Sequence, residues 1–185
     1  MKLFCAVAAL LGLSLTGTVF GANPVVIMET SRGTIKIELF EDKAPITVKN
    51  FLTYVDEKHY DGTIFHRVMS DFMIQGGGFD AQSKQRKTHD PIKNESDNGL
   101  SNKRGTIAMA RTMVVDSATS QFFINTVDNE KLDRSERDAG YCVFGRVVEG
   151  MDVVDSIRKV QVKPSAISNA QPVETVEIKS VRLQK

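Results

Sequence analysis

The chain has 185 residues, with 24 basic and 23 acidic side chains and a formal charge of +1, so electrostatics gives no reason to expect nucleic acid or an anionic membrane as a partner. Its two cysteines, Cys5 and Cys142, exclude a scaffold stapled by several disulfides. None is needed, because a domain of this size buries roughly two thirds of its unfolded surface in one core.

The first 22 residues stand apart from the rest. Lys2 precedes an apolar run from Leu3 to Leu15, and small residues follow up to Ala22, the layout of a secretory signal peptide. The run is about 13 residues long, short of the roughly 20 that span a bilayer core, so cleavage is expected rather than stable membrane insertion. Val19 and Gly21 suit a cut after Gly21, Phe20 suits a cut after Ala22 less well, and the scissile bond stays open between them. Cys5 is badly placed for lipid attachment and leaves with the segment, as does Lys2, which brings basic and acidic residues level. Cys142, between Tyr141 and Val143, reads as a buried strand thiol.

Residues 23–185 contain no repeat or linker and read as one domain. Val25 and Ile27, a turn at Gly33, and Ile35, Ile37 and Leu39 alternating with Thr34, Lys36 and Glu38 predict two strands with one wet face. From Ala44 to Lys58 the period changes: Pro45 suits a first helical turn, and Val48, Phe51, Leu52 and Val55 form an apolar stripe. Strands are predicted again over Thr63 to Met69, Phe72 to Gln75, Thr106 to Ala110, Gln121 to Thr126 and Val143 to Val148. A second helix runs from about Met151 to Lys159. The last strand, Glu174 to Leu183, slips in apolar phase between Val176/Ile178 and Val181/Leu183, which is what a bulge produces. A bent antiparallel sheet loses its exposed edges by closing, so the pattern predicts a mainly β domain, a small barrel with two helices at its ends. The polar stretch from Gly76 to Gly105 is long for a structureless loop in a compact domain, and such loops are generally functional or disordered. Asn94, Asn98 and Asn102 suit turns within it.

Familiar catalytic devices are missing. His59, His66 and His89 lack metal-ligand spacing, and no GxSxG, HExxH, phosphate-cradling glycine loop or CxxC pair occurs, so no metal and no cofactor is expected. What stands out is one arginine among apolar and amide side chains: Phe65-His66-Arg67-Val68-Met69, then Phe72-Met73-Ile74-Gln75-Gly76-Gly77. Simple alternation puts Phe65, Arg67 and Met69 on one face and His66 and Val68 on the other. Taken singly, Phe72, Met73, Phe123 and Leu132 read as core residues, Arg67 as a surface ion-pair partner, Gln75 and Gln121 as strand-end amides, and His66 and Tyr141 as satisfied structural groups.

Taken in order, Phe65-His66-Arg67-Val68, Phe72-Met73-Ile74-Gln75-Gly76-Gly77, Gly105-Thr106-Ile107-Ala108-Met109-Ala110 and Ser120-Gln121-Phe122-Phe123-Ile124 resemble the cyclophilin peptidyl-prolyl cis/trans isomerases, over nearly all of Val25 to Leu183. The resemblance implies a closed eight-stranded antiparallel β-barrel capped by two α-helices, and rotation about X-Pro bonds as the activity. It makes Arg67 and Gln75 catalytic, makes Phe72, Met73, Phe123 and Leu132 the proline pocket, and sets Ala110 and Gln121 along the groove for the preceding residues. Tyr141 holds the place of a histidine in many eukaryotic members, and His66 falls at a groove position. Asn94-Glu95-Ser96-Asp97-Asn98-Gly99-Leu100 and Ala110-Arg111-Thr112 are similar to the bacterial branch. With the signal peptide this implies a periplasmic monomer acting on proline-containing peptides and on unfolded exported proteins, secretion into the medium being the other destination. Many members carry tryptophan before the pocket leucine; here Lys131 precedes Leu132, so isomerase activity is expected with weak cyclosporin binding. The alternative is a non-catalytic chaperone that holds proline-containing segments in the same groove.

Overall fold

The computed structural model describes residues 23–185; the signal-peptide expectation for residues 1–22 lies outside them. In chain order the elements are β1 (Val25–Thr30), β2 (Gly33–Leu39), α1 (Pro45–Asp56), β3 (Thr63–Met69), β4 (Met73–Asp80), β5 (Thr106–Met109), β6 (Phe122–Asn125), a 3-10 turn (Glu130–Leu132), β7 (Val143–Glu149), α2 (Met151–Arg158), β8 (Val162–Lys163), β9 (Gln171–Pro172) and β10 (Glu177–Leu183). Eight strands close a barrel in the order β1-β10-β3-β4-β6-β5-β7-β2, with every pair antiparallel. The fold is therefore the closed barrel with two helices that the resemblance implies. β8 and β9 make a separate two-stranded ribbon that the sequence pattern does not announce.

Closure depends on bulges. Opposite β1, Glu29 pairs Ser180 and Thr30 pairs Ile178, leaving Lys179 as an extra residue in β10. Val176, Ile178 and Val181 can then all be fully buried although their spacing breaks period two. β7 carries similar register shifts against β2 and β5. Such bends let a short sheet curl until its edges meet.

Bulges also correct the faces read from alternation. In β3, Phe65 pairs Gly76 and Arg67 pairs Gln75, so His66 is an extra residue. Phe65 and Val68 both enter the interior cluster, whereas Arg67 is half-buried and Met69 packs on a different cluster. Phe65 and Arg67 thus do not share a face. In β1 the inward residues are Val26 and Met28, while Val25 and Ile27 are half-buried.

α1 and α2 contribute Val48, Phe51, Val55, Val154 and Ile157 to the barrel core. The long polar stretch is ordered by its contacts: Glu95 accepts hydrogen bonds from the backbone N–H of Ile46 (3.1 Å) and Thr47 (2.8 Å) and from the Thr47 hydroxyl (2.7 Å). A carboxylate at a helix N-terminus satisfies free N–H groups and complements the helix dipole, which ties this loop to α1. Cys142 is buried beside Thr47, and burial pushes its thiol up to about 11.

Candidate active site

The barrel has two separate apolar clusters, and the division between them places the site. One fills the interior; the other consists of Met73, Ala108, Phe123 and Val143, with Met69, Phe72, Leu100, Ala110, Leu132 and Tyr141 packed against it half-buried. Consecutive residues of one strand supply both. On β6, Phe122 and Ile124 point inward while Phe123 points out; on β4, Ile74 points inward while Met73 points out. Period-two alternation thereby builds an apolar patch on the outside of a filled barrel. All the predicted pocket residues, Phe72, Met73, Phe123 and Leu132, lie in this outer cluster, together with Ala110 and Tyr141. Leu132 arrives from the 3-10 turn.

Arg67 sits at the edge of this patch, its guanidinium carbon 5.9 Å from the centre of the Phe72 ring. Among the described residues it forms no ion pair with a carboxylate, which removes the surface ion-pair reading. Gln75 is its cross-strand neighbour. The Gln75 side-chain amide donates to Gln121 Oε1 at 2.9 Å, so the two glutamines form a fixed pair beside the arginine. Gln121 lies close over the backbone of Gly78, where an added Cβ would stand 2.5 Å from its Cδ.

The pocket is held from behind by buried asparagines. Asn129 Nδ2 donates to the carbonyl of Phe72 and to Asn125 Oδ1, both at 2.7 Å. Asn125 donates to Asn102 Oδ1 at 3.2 Å, and Asn102 donates to the carbonyls of Leu132 (3.2 Å) and Tyr141 (3.4 Å). Three side chains thus connect the backbone of three pocket residues. Asn102 is 1% exposed, so it is a buried connector within the long polar stretch.

His66 is also buried, its ring 4.8 Å from that of Phe79, with Nδ1 unpartnered. Desolvation by burial, helped by the neighbouring Arg67 charge, holds its imidazole down to about 4, so it is neutral at pH 7. The structure thus shows His66 as a buried imidazole packed on Phe79. Tyr141 stacks edge-on against Phe123 at 5.6 Å and lies under the Arg111 guanidinium at 4.7 Å. Lys131 is exposed beside Leu132. Among the described residues no group of three or more His, Cys, Asp or Glu side chains is placed to hold a metal ion.

An arginine and an amide pair at the rim of an outward-facing apolar pocket can hold a small ring in the pocket and donate hydrogen bonds beside it. Known proteins are similar to this chain over most of its length. The sequence model described as cyclophilin type peptidyl-prolyl cis-trans isomerase/CLD matches residues 25–183. A peptidyl-prolyl cis-trans isomerase of Acinetobacter baylyi is 53% identical over 178 residues, covering 96% of this chain and 95% of its own. Peptidyl-prolyl cis-trans isomerase B of Escherichia coli (strain K12) is 54% identical over 164 residues, 87% of this chain and 100% of its own. A solved Cryptosporidium parvum cyclophilin type peptidyl-prolyl cis-trans isomerase, in the presence of the dipeptide Ala-Pro, superposes with a TM-score of 0.72 at 24% identity, over 87% of this chain and 99% of that one; at that identity it bears on the fold alone. Agreement of family model and relatives over nearly the whole barrel establishes that this chain belongs to the cyclophilin-type peptidyl-prolyl cis-trans isomerases.

Proposed function

We propose that the isomerase acts in the periplasm on exported polypeptides, as a monomer, with Arg67 and Gln75 as its catalytic residues. The observation that carries the catalytic part is the Arg67 guanidinium, free of any carboxylate partner among the described residues, beside the Phe72 ring at the edge of the apolar cluster that contains Phe72, Met73, Phe123 and Leu132. Ala110, Gln121 and Tyr141 line the groove around it. His66, a groove residue by the resemblance, packs against Phe79 beside Arg67. Membership of the cyclophilin-type peptidyl-prolyl cis-trans isomerases supports proline-containing peptides as the substrate class. The apolar run after Lys2 supports export, and with it unfolded exported proteins as clients.

The chemistry is rotation against amide resonance, a barrier of ~18–20 kcal/mol that makes uncatalysed X-Pro isomerisation take tens to hundreds of seconds. No covalent bond changes partner, so the site must bind the twisted amide more tightly than either planar form. At the twist, conjugation is lost and the proline nitrogen regains a basic lone pair. A permanently charged guanidinium that donates to it gains attraction at the top of the barrier. The apolar pocket holds the pyrrolidine ring while the acyl side turns, and exclusion of water strengthens the arginine's effect.

One charge-assisted hydrogen bond contributes ~1.5–3 kcal/mol, and ~1.4 kcal/mol is a factor of ten in rate, so Arg67 accounts directly for about one to two decades. Arg67→Ala is expected to keep its circular dichroism spectrum and to lose at least about tenfold in kcat/KM on an X-Pro peptide; a near-normal rate removes Arg67 from the mechanism. The same pair of proteins tests the holding role. A chaperone without catalysis would not accelerate proline-limited refolding at substoichiometric amounts, whereas the isomerase does. With Lys131 at the pocket rim in place of an aromatic ring, cyclosporin binds this protein weakly.

A further inference from the structure

Met113, Val114 and Val115 are consecutive and are 95%, 66% and 43% exposed, whereas the other exposed large apolar side chains of the described surface stand singly in the sequence. Single exposed apolar residues are ordinary; an uninterrupted run of them is a feature of binding surfaces. These three sit at the tip of a short loop, residues 112–117, that is held rigid by its own hydrogen bonds. The Thr112 hydroxyl donates to Ser117 Oγ (2.8 Å) and accepts from the Val114 N–H (3.2 Å), Ser117 Oγ accepts from the Thr112 N–H (2.9 Å), and its own proton goes to the Val114 carbonyl (2.6 Å). Asp116 accepts from the Asn94 N–H at 2.8 Å, which fastens the loop's far side. A collapsed loop would bury such side chains; this one is braced so that they stay in water.

The loop is also continuous with the site. Ala110, in the outer cluster, donates its N–H to the Gln121 carbonyl at 2.9 Å. The next residue, Arg111, lies over the Tyr141 ring with its side chain only 8% exposed, donates to the carbonyls of Gly140 and Thr112 at 3.0 Å each, and pairs with Asp138. At no more than ~3.6 Å per residue, the Cα of Met113 lies within about 11 Å of that of Ala110. An extended chain leaving the groove on that side spans the same distance in about three residues.

We propose that Met113, Val114 and Val115 form an outer contact for the substrate chain, engaging apolar residues about three to five positions before the proline. This rests on the isomerase reading, in which Ala110 and Gln121 line the residues preceding the X-Pro bond. The tip biases the enzyme toward proline bonds set in apolar sequence, the kind exposed by an unfolded chain. Because the contact is remote from Arg67, it tightens binding of planar and twisted forms alike and acts on KM rather than kcat.

The test compares three peptides: a short X-Pro tetrapeptide, and two longer ones that carry either Leu-Val-Leu or Ser-Ser-Ser three to five positions before the proline. The chain starting at Asn23 is expected to turn over the Leu-Val-Leu peptide at least threefold more efficiently than the serine one, through KM. Met113→Ser/Val114→Ser/Val115→Asp, and to a lesser degree Met113→Ser alone, should erase that preference and leave the tetrapeptide within twofold. Equal turnover of the two long peptides by the parent, or a preference that survives the triple substitution, overturns the inference while the isomerase reading stands. A parent inactive on all three peptides overturns both. Sedimentation and flotation with phosphatidylethanolamine/phosphatidylglycerol vesicles complete it: self-association or vesicle binding lost in the triple variant, without peptide preference, assigns the tip to a second copy or a lipid surface and overturns the proposal.

Discussion

At the scale of single residues, the groups that decide the site are polar ones in apolar surroundings, and they carry their meaning through partners. Arg67 is informative because among the described residues it has no carboxylate to neutralise it, and Asn102, Asn125 and Asn129 because their amides link the backbones of Phe72, Leu132 and Tyr141. Removing one amide from such a relay leaves buried acceptors unpaired, which costs ~1–3 kcal/mol. Asn129→Ala should therefore lower the melting temperature by a few degrees, at roughly 2–4 °C per kcal/mol for a domain of this size. It should also lower kcat/KM about threefold to tenfold, mainly through KM, because Phe72 is less firmly placed. A lowered melting temperature with unchanged kinetics would make the relay purely structural. Arg67, Gln75 and the pocket side chains were legible as a motif in order. Asn102 was not, since asparagine suits a turn as well as a buried relay and only the neighbours distinguish the two.

At the scale of elements, β4 shows how a strand serves two masters. Ile74 fills the barrel, Met73 joins the outer cluster, Gln75 bonds Gln121, and the glycines that follow let neighbouring groups approach the backbone. Gly77 needs its positive φ of 82°, and a Cβ there would press on Phe122 and Tyr60. At Gly78 the obstacle is the Gln121 side chain and not backbone, so Gly78→Ala is expected to fold normally but to push Gln121 aside and break its bond to Gln75. A roughly threefold to tenfold fall in kcat/KM should follow, and Gly78→Ala/Gln121→Ala should be no worse than Gln121→Ala alone, because the two changes act through one contact. Additive losses would mean that Gly78 acts elsewhere. Strand identity was readable from alternation, but the inward face was not wherever a bulge intervened: His66 in β3 and Lys179 in β10 each shift the phase by one residue.

For the whole molecule, a barrel interior filled by its own side chains leaves the second apolar cluster on the outer wall, where the proposed site opens directly to an incoming chain. That arrangement suits a client too large to enter a protein. It also suits a folding helper in a compartment where chains arrive unfolded, and the export proposal is checked on the intact protein. Expressed from its full sequence in a Gram-negative host, the chain is expected in the periplasmic fraction with a mass starting at residue 22 or 23 and both Lys2 and Cys5 gone; a cytoplasmic product of full mass would sink it.

By itself the sequence determined the helices, the strands of the barrel along the chain, and the motif that sets Phe72, Met73 and Gln75 after Arg67, because side-chain period and motif order are local properties. Only the tertiary structure decided that Phe65 and Arg67 part company, that His66 is buried against Phe79, that Glu95 caps α1, and that three asparagines connect the backbones of Phe72, Leu132 and Tyr141. Those outcomes depend on bulges and on hydrogen bonds between segments far apart in the chain, and neither leaves a periodic trace among the residues that form them.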